Sequence, residues 1–470
     1  MMKSKLLSLL FFLSSLSICA DEDKKISQPN ILFIMLDDLG KEWLSCYGAE
    51  DIKTPNIDAL ADGGMIFNNA YSMPSCTPSR TTVLTGKYPW RTGWTSHWDV
   101  PRWGVAYFDW KKKENTTFAS LMKANGYSTC AVGKWQINDF RLEPQVLKKH
   151  GFDKWAMWTG FETGNQASAD RNYSPYINTP EEGSKSYKGK FTPDVCTDYL
   201  LKFIRQYKDK PMCLYYPMPL PHPPLVATPD EPEAKTRLDR HKAMVRYIDK
   251  TIGQIVTTLE KLKIRERTII IFSTDNGTIP GMTGTVNGQP IRGEKGRTSE
   301  RGVCAPFIVN CPGLVPAGVK SDALTDFSDL LPTFVELAGG EIPKDLIIDG
   351  KSFAPLILGK KEDSPREWIM SIGQGDAQLT KDGVRNKDAF GKRVIRDKQF
   401  KVWVSEKKLI IRLHYLKKDP REKTNLLNSN LPEHKLALKK FQDIVDSLPD
   451  KDANRAYTPR TTNPWDMKLK

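Results

Sequence analysis

Ile31-Leu32-Phe33-Ile34-Met35-Leu36-Asp37-Asp38 is an unbroken apolar run that ends in two adjacent carboxylates. Apolar residues without polar alternation over this length read as a strand covered on both faces. The pattern recurs along the chain. Ser128 to Val132 runs into Gly133-Lys134, Met212 to Tyr216 into the loop around His222, and Thr268 to Phe272 into Asp275-Asn276. Pro306 to Val309 leads to Pro312-Gly313. Helical patterns fall between these runs, at Thr117 to Ala124 and at Lys242 to Leu262, where Val245, Ile248, Ile252, Ile255, Leu259 and Leu262 share one face. Strands alternating with helices predict an α/β fold: a large mixed, mostly parallel sheet sandwiched by helices. Ligands of such sheets bind beyond the carboxyl ends of strands. Asp37-Asp38, Lys134, His222 and Asp275-Asn276 stand at those ends.

After about Lys351 the pattern changes. Arg393 to Ile395, Phe400 to Val404 and Leu409 to Leu413 read as short antiparallel strands, and Pro432 to Leu448 as a polar helix. The expected organisation is a signal peptide over 1–20, a catalytic domain over 28–350, and a smaller C-terminal α+β subdomain with an antiparallel sheet over 351–470. The leader reading rests on Lys3 and Lys5, the apolar stretch Leu6 to Leu16, and Ala20 just before Asp21. That stretch is short for a bilayer span, and no later segment reaches spanning length. A secreted or periplasmic protein is expected. Lipoprotein anchoring at Cys19 is the alternative, with Ile18 bulkier than such a processing site usually takes.

The 470 residues are 39% hydrophobic and 27% charged, which excludes disordered and collagen-like classes. A net charge of +14 favours acidic partners. No zinc-finger, basic-zipper or RNP pattern is present, so no nucleic acid is expected; a polyanionic substrate and solubility alone both account for the charge. Of eight cysteines, Cys19 lies in the leader. The remaining Cys46, Cys76, Cys130, Cys196, Cys213, Cys304 and Cys311 are odd in number, leaving at least one thiol without an internal partner. None has zinc-ligand spacing.

Cys76-Thr77-Pro78-Ser79-Arg80-Thr81-Thr82-Val83-Leu84-Thr85-Gly86 is the most informative segment for chemistry. Pro78 suits the first turn of a helix, which puts Cys76 at an N-terminus where backbone N–H groups favour an anion. Arg80 adds a fixed positive charge suited to oxyanions. The run resembles the maturation signature of the sulfatases, Cys-x-Pro-Ser-Arg followed by Leu-Thr-Gly. Further blocks carry the same resemblance: Pro29-Asn30-Ile31 through Asp37-Asp38, Lys53 to Asp58, Gly126-Tyr127 through Gly133-Lys134-Trp135, Thr274 to Gly277, Asp329 to Thr333, Asp349 to Ser352, and Asp419 to Leu426. The resemblance implies that a formylglycine-generating enzyme oxidises Cys76 to formylglycine. One hydroxyl of the hydrated aldehyde then attacks sulfur, and the other expels sulfate by restoring the aldehyde.

Asp37, Asp38, Asp275 and Asn276 are hard oxygen donors that suit calcium, magnesium after it, and not zinc. The resemblance implies one Ca2+ per subunit, held by these four residues and by Cys76 in its modified form. It also implies that Lys134 binds sulfate and formylglycine, that His222 assists the leaving group as a general acid, and that Lys295 contacts sulfate and the bridging oxygen. One position departs from the family. Where the family has His two residues after the lysine, this chain has Gln136. An amide cannot act as a base near neutral pH. Three readings follow: another base, His97 or His241, a Gln136 that only orients the diol while water takes the proton, or a weakened or inactive enzyme.

The expected substrate is a sulfated carbohydrate, with Trp90, Trp94, Trp98, Trp103 and Trp110 either stacking on sugar rings or filling core. A phosphate or phosphonate ester hydrolase of the alkaline phosphatase superfamily, and a non-catalytic glycan-binding protein, are the competing readings.

Overall fold

The computed structural model describes residues 28–95, 115–373, 378–380, 383–385, 389–453 and 464–465. The leader expectation for residues 1–20, with Cys19, lies outside the described residues, as do His97, Trp98, Trp103 and Trp110. In chain order the strands are β1 (Asn30–Leu36), β2 (Met65–Tyr71), β3 (Ser128–Lys134), β4 (Lys154–Trp158), β5 (Tyr176–Thr179), β6 (Gly183–Ser186) and β7 (Met212–Pro217). They continue as β8 (Thr268–Thr274), a hairpin of β9 (Thr283–Val286) and β10 (Gln289–Arg292), then β11 (Cys304–Asn310) and β12 (Val319–Asp326).

Ten of these form one sheet in the order β12-β2-β11-β8-β1-β7-β3-β4-β5-β6. The central strands β8, β1, β7, β3 and β4 are parallel. β11 runs antiparallel between β8 and β2. This is the mixed, mostly parallel sheet expected. Alternate residues of β1 enter two separate cores. Phe33 and Met35 join Phe67, Tyr215, Ile271 and Phe334 on one face. Leu32, Ile34 and Leu36 join Leu214, Phe272, Ile248 and Ile252 on the other. Burial on both faces is why the run carries no polar alternation, and each such side chain contributes roughly 1.5–3 kcal/mol.

Register decides where the chemistry falls. Leu36 is level with Thr274 of β8, and Met35 with Pro217 of β7. Asp37-Asp38, Asp275-Asn276 and the His222 loop therefore leave the sheet at one edge. β3 ends there too, and Gly133 permits it: a Cβ at this position would sit 2.1 Å from the carbonyl oxygen of Pro217.

The long helix spans Arg237–Lys261, beginning before the expected Lys242. Its start is a capping box: the Thr236 hydroxyl accepts from the Asp239 N–H (3.0 Å), and the Thr236 N–H donates to the Asp239 carboxylate (3.2 Å). The polar first turn hides this start from a reading based on apolar periodicity.

The C-terminal part holds β13 (Ile369–Ile372), the hairpin β14 (Gln378–Thr380) and β15 (Gly383–Arg385), β16 (Arg393–Arg396), β17 (Phe400–Val404) and β18 (Ile410–Tyr415). Four of them form an antiparallel sheet ordered β13-β16-β17-β18. The helix Pro432–Ser447 packs on it through Ala437, Phe441 and Val445.

Glu300 pins this small sheet to the large one. Its carboxylate accepts from Arg396 Nη1 (2.9 Å) and Lys401 Nζ (2.9 Å) of the small sheet, and from the Tyr71 hydroxyl at the end of β2. Burial pushes the Glu300 carboxyl up, but Lys401, Arg396 and Tyr71 outweigh it and bring the group down to about 2. A depressed carboxylate stabilises the fold above its unfolded pKa, and that contribution is lost as pH falls through its folded pKa. The expected stability gap between the parent and Glu300→Gln narrows by about 3 kcal/mol between pH 6 and pH 2. Urea unfolding of both proteins across that range checks this, and a constant gap refutes the pin.

Candidate active site

The helix Cys76–Thr85 begins directly at Cys76, with Ser75 at its N-cap and Pro78 in its first turn, as the sequence predicts. Ser79 ties this start to the sheet edge. Its hydroxyl accepts from the Met73 N–H (3.0 Å) and donates to the Asp275 carbonyl (2.5 Å). Arg80, on the same helix, reaches both neighbouring strand ends. Nη2 meets the Asp275 carboxylate at 2.7 Å, and Nη1 donates to the Lys134 carbonyl at 3.0 Å. Cys76 Sγ and carboxylate oxygens of Asp37 and Asp275 all lie within 4.8 Å of one another.

Around these sit the other residues singled out from the sequence. Lys134 Nζ is 2.8 Å from Asp37 Oδ2, and Lys295 Nζ is 2.6 Å from Asp38 Oδ1. The Asn276 amide donates to Asp38 Oδ1 (2.7 Å), and His222 Nε2 lies 3.6 Å from Asp38 Oδ2. Asp38 and Gln136 both adopt left-handed backbone, with φ of 72° and 69°. Such conformations cost free energy outside glycine and concentrate at functional positions. They turn the chain sharply where β1 and β3 leave the sheet. Gln136 is buried at 4% exposure.

The charges are tightly balanced. Burial works against ionisation of Asp37, but Lys134, His222, Arg171 and Arg80 overcome it and hold the group well below the usual carboxylate range. Asp275 is pushed the other way, well up, by burial and by Asp37 beside it. Burial works against the charge on Lys295, and Asp38 outweighs it, so this lysine is raised. His222 is lowered by burial and then by Arg171.

Two acceptors in this cluster, Asp37 Oδ1 and Asn276 Oδ1, are buried with no hydrogen-bond partner among the described residues. Orphaned acceptors cost free energy unless something electropositive meets them. Together with the carboxylates of Asp38 and Asp275, they make an oxygen-rich donor set that fits a hard divalent cation.

Arg171 is the residue that sequence reasoning misses. It is 7% exposed, its Nη2 lies 3.1 Å from Asp37 Oδ2, and its Nη1 contacts His222 Nδ1. No signature flanks it in sequence. The local cue is an arginine just before Asn172-Tyr173, which is indistinguishable from a surface charge.

Two readings that the sequence leaves open are narrowed. His241 is not part of this cluster. Its ring packs edge-on against Trp43 at 4.4 Å inside the core, both nitrogens lack hydrogen-bond partners among the described residues, and burial lowers its pKa to about 3. Trp94 offers no face to a sugar, being fully buried in the main core, while Trp90 carries Arg91 over its ring at 4.0 Å. None of the seven described cysteines forms a disulfide. No helix among the described residues is long and apolar enough to cross a membrane.

Comparison with known proteins gives this geometry a class. The model of the sulfatase family matches residues 29–340, and that of the N-sulphoglucosamine sulphohydrolase C-terminal region matches 294–448. N-acetylgalactosamine-6-sulfatase of Homo sapiens is 33% identical over 358 residues, covering 72% of this chain and 67% of the relative. N-acetylgalactosamine-6-O-sulfatase of Bacteroides thetaiotaomicron is 30% identical over 443 residues, covering 78% and 84%. The crystal structure of Ps i-CgsB superposes with a TM-score of 0.72 at 26% identity, over 88% of this chain and 93% of that one. The chain belongs to the sulfatase family of the alkaline phosphatase superfamily. It is a sulfuric ester hydrolase.

Proposed function

We propose that this enzyme removes sulfate from a sulfated carbohydrate, using a formylglycine made from Cys76 and a Ca2+ held by Asp37, Asp38, Asp275 and Asn276. The observation that carries this reading is the convergence of Cys76 Sγ with Asp37 and Asp275 at the start of a buried helix. The carbohydrate reading draws support from the net charge of +14 and from relatives whose names specify N-acetylgalactosamine sulfates.

The hydrated aldehyde would supply a nucleophilic oxygen and, after sulfate transfer, its own route to release, while the cation would polarise the sulfate oxygens. The chain's own residues do the rest. The helix start at Cys76 directs N–H groups toward developing negative charge. Arg80 holds Asp275 and the β3 end in place. Lys134 and Lys295 offer ammonium donors to sulfate oxygens. His222 gives a hydrogen bond, and with it a proton, to the departing sugar oxygen as a general acid. Gln136 donates and accepts hydrogen bonds but takes no proton, so the proton lost during sulfate release goes to water or to another acceptor.

Export as a secreted or periplasmic protein, with the leader removed near Ala20, and maturation by a formylglycine-generating enzyme complete the proposal. Intact and peptide mass spectrometry of the exported protein reads both events. The expected result is a mature chain beginning near Asp21 with formylglycine at position 76. That protein, supplied with calcium, is expected to release sulfate from one or more members of a panel of sulfated polysaccharides and oligosaccharides. Faster turnover of matched phosphate esters would overturn the sulfatase assignment of the site.

A further inference from the structure

We propose that Arg171 is a positioning residue that fixes which nitrogen of His222 carries the ring proton. The inference rests on the reading above that His222 serves the departing sugar oxygen. Arg171 is itself held firmly. Its guanidinium lies on the face of Trp158, 4.4 Å from the ring centroid, and Nη2 meets Asp37 Oδ2 at 3.1 Å. The Thr192 hydroxyl donates to the Arg171 carbonyl, fixing the backbone behind it. Asn172 next to it donates its amide to the Pro224 carbonyl (2.8 Å). The Arg171-Asn172 pair thus clamps the His222 loop from two sides.

The other arm of the fork reaches the imidazole. Arg171 Nη1 contacts His222 Nδ1 and lies 3.2 Å from the Pro223 carbonyl oxygen. A guanidinium has donors only. A donor pressed against Nδ1 requires that nitrogen to accept, which leaves the ring proton on Nε2, on the side of Asp38. The alternative is equally visible. Nδ1 is 2.6 Å from the Pro223 carbonyl and would donate to it if it carried the proton. That tautomer would set an N–H against the N–H of Arg171. The same loop geometry therefore permits two tautomers, and the guanidinium selects one. With Arg171 in place, Nε2–H faces the cluster and can bond the departing oxygen. Without it, Nδ1–H turns to Pro223, and Nε2 presents a lone pair where a donor is needed.

The test uses the full mature chain with calcium, 15N-labelled at its six histidines. His222→Gln assigns the His222 signals in long-range 1H–15N spectra. The parent is expected to show a protonated Nε2 and an unprotonated Nδ1. Arg171→Met is expected to shift His222 to the Nδ1–H form. Its kcat is expected to fall about 10- to 100-fold, the scale seen when the partner that fixes the tautomer of a metal-bound histidine is removed. KM should change by less than about threefold, because a group that acts in the transition state lowers kcat. Arg171→Lys keeps a charged donor and should recover part of kcat and of the Nε2–H population. An Nδ1–H tautomer in the parent overturns the proposal without reference to any variant, as does an unchanged tautomer in Arg171→Met. Full sulfatase activity in His222→Gln would instead remove the donor role of His222, while leaving the tautomer result to be read on its own.

Discussion

Cys76→Ala is expected to lower sulfate release by at least about 10⁴-fold, the scale set by removing the nucleophile of a covalent mechanism. The argument is geometric. Cys76 stands at the first position of its helix and within 4.8 Å of Asp37 and Asp275 oxygens, so the group made from it is the part of the chain that meets both the anion-binding N–H groups and the carboxylate cluster. Arg80, Lys134, Lys295 and His222 are arranged around it and can still bind sulfate once it is gone. Substrate affinity should therefore survive while turnover does not. Calorimetry of the variant with a non-hydrolysed sulfated ligand, beside a sulfate-release assay, separates the two. A variant retaining more than about one per cent of parental kcat, with substitution at position 76 verified by mass, would end the formylglycine reading.

Removing the cation is expected to act on both activity and stability. Asp37, Asp38 and Asp275 bring three carboxylates into one buried cluster, and Asp37 Oδ1 and Asn276 Oδ1 accept from nothing among the described residues. A chelator should reduce turnover at least about 100-fold, since the sulfate oxygens lose their strongest source of positive charge. At free calcium about 100-fold above its Kd, linkage contributes about 3 kcal/mol, worth about 3 °C in Tm for a chain of this length. Readdition of calcium should restore both, and zinc should restore neither, because the donors are oxygens without imidazole or thiolate. Indifference of both Tm and turnover to chelation would show that this cluster needs no cation.

Much of the fold and site is legible in the amino-acid sequence. The β1 run and its Asp37-Asp38 terminus, the Cys76 segment, and the strands leading to Lys134, His222 and Asp275 all carry their signal locally, as continuous apolar residues followed by polar ones. What escapes is held together by tertiary contacts. Arg171 gains its role from Trp158, Asp37 and His222, which lie 13 or more positions away in sequence. β2 is hidden because Asn68 and Asn69 interrupt its apolar character, and β12 because Lys320 and Asp322 face solvent. His241 and Trp94 stand out as candidates for chemistry because a polar or aromatic side chain looks alike in core and in cleft. Their neighbours distinguish them: His241 packs against Trp43, and Trp94 lies in the main core.

Cys76 is completely enclosed in the folded protein, with 0% of its surface exposed. An enzyme that oxidises a thiol must place that thiol in its own active site, which a buried side chain in the first turn of a packed helix cannot enter. The proposed maturation therefore has to finish before the chain folds, and folding then holds position 76 out of a second enzyme's reach. On that reading each molecule would be committed once: a chain that folds early would keep its cysteine and stay inactive however much maturase it later met. The active fraction of a preparation would then record a race during synthesis. It should rise when folding is slowed and should not change when finished protein is incubated with the maturing enzyme.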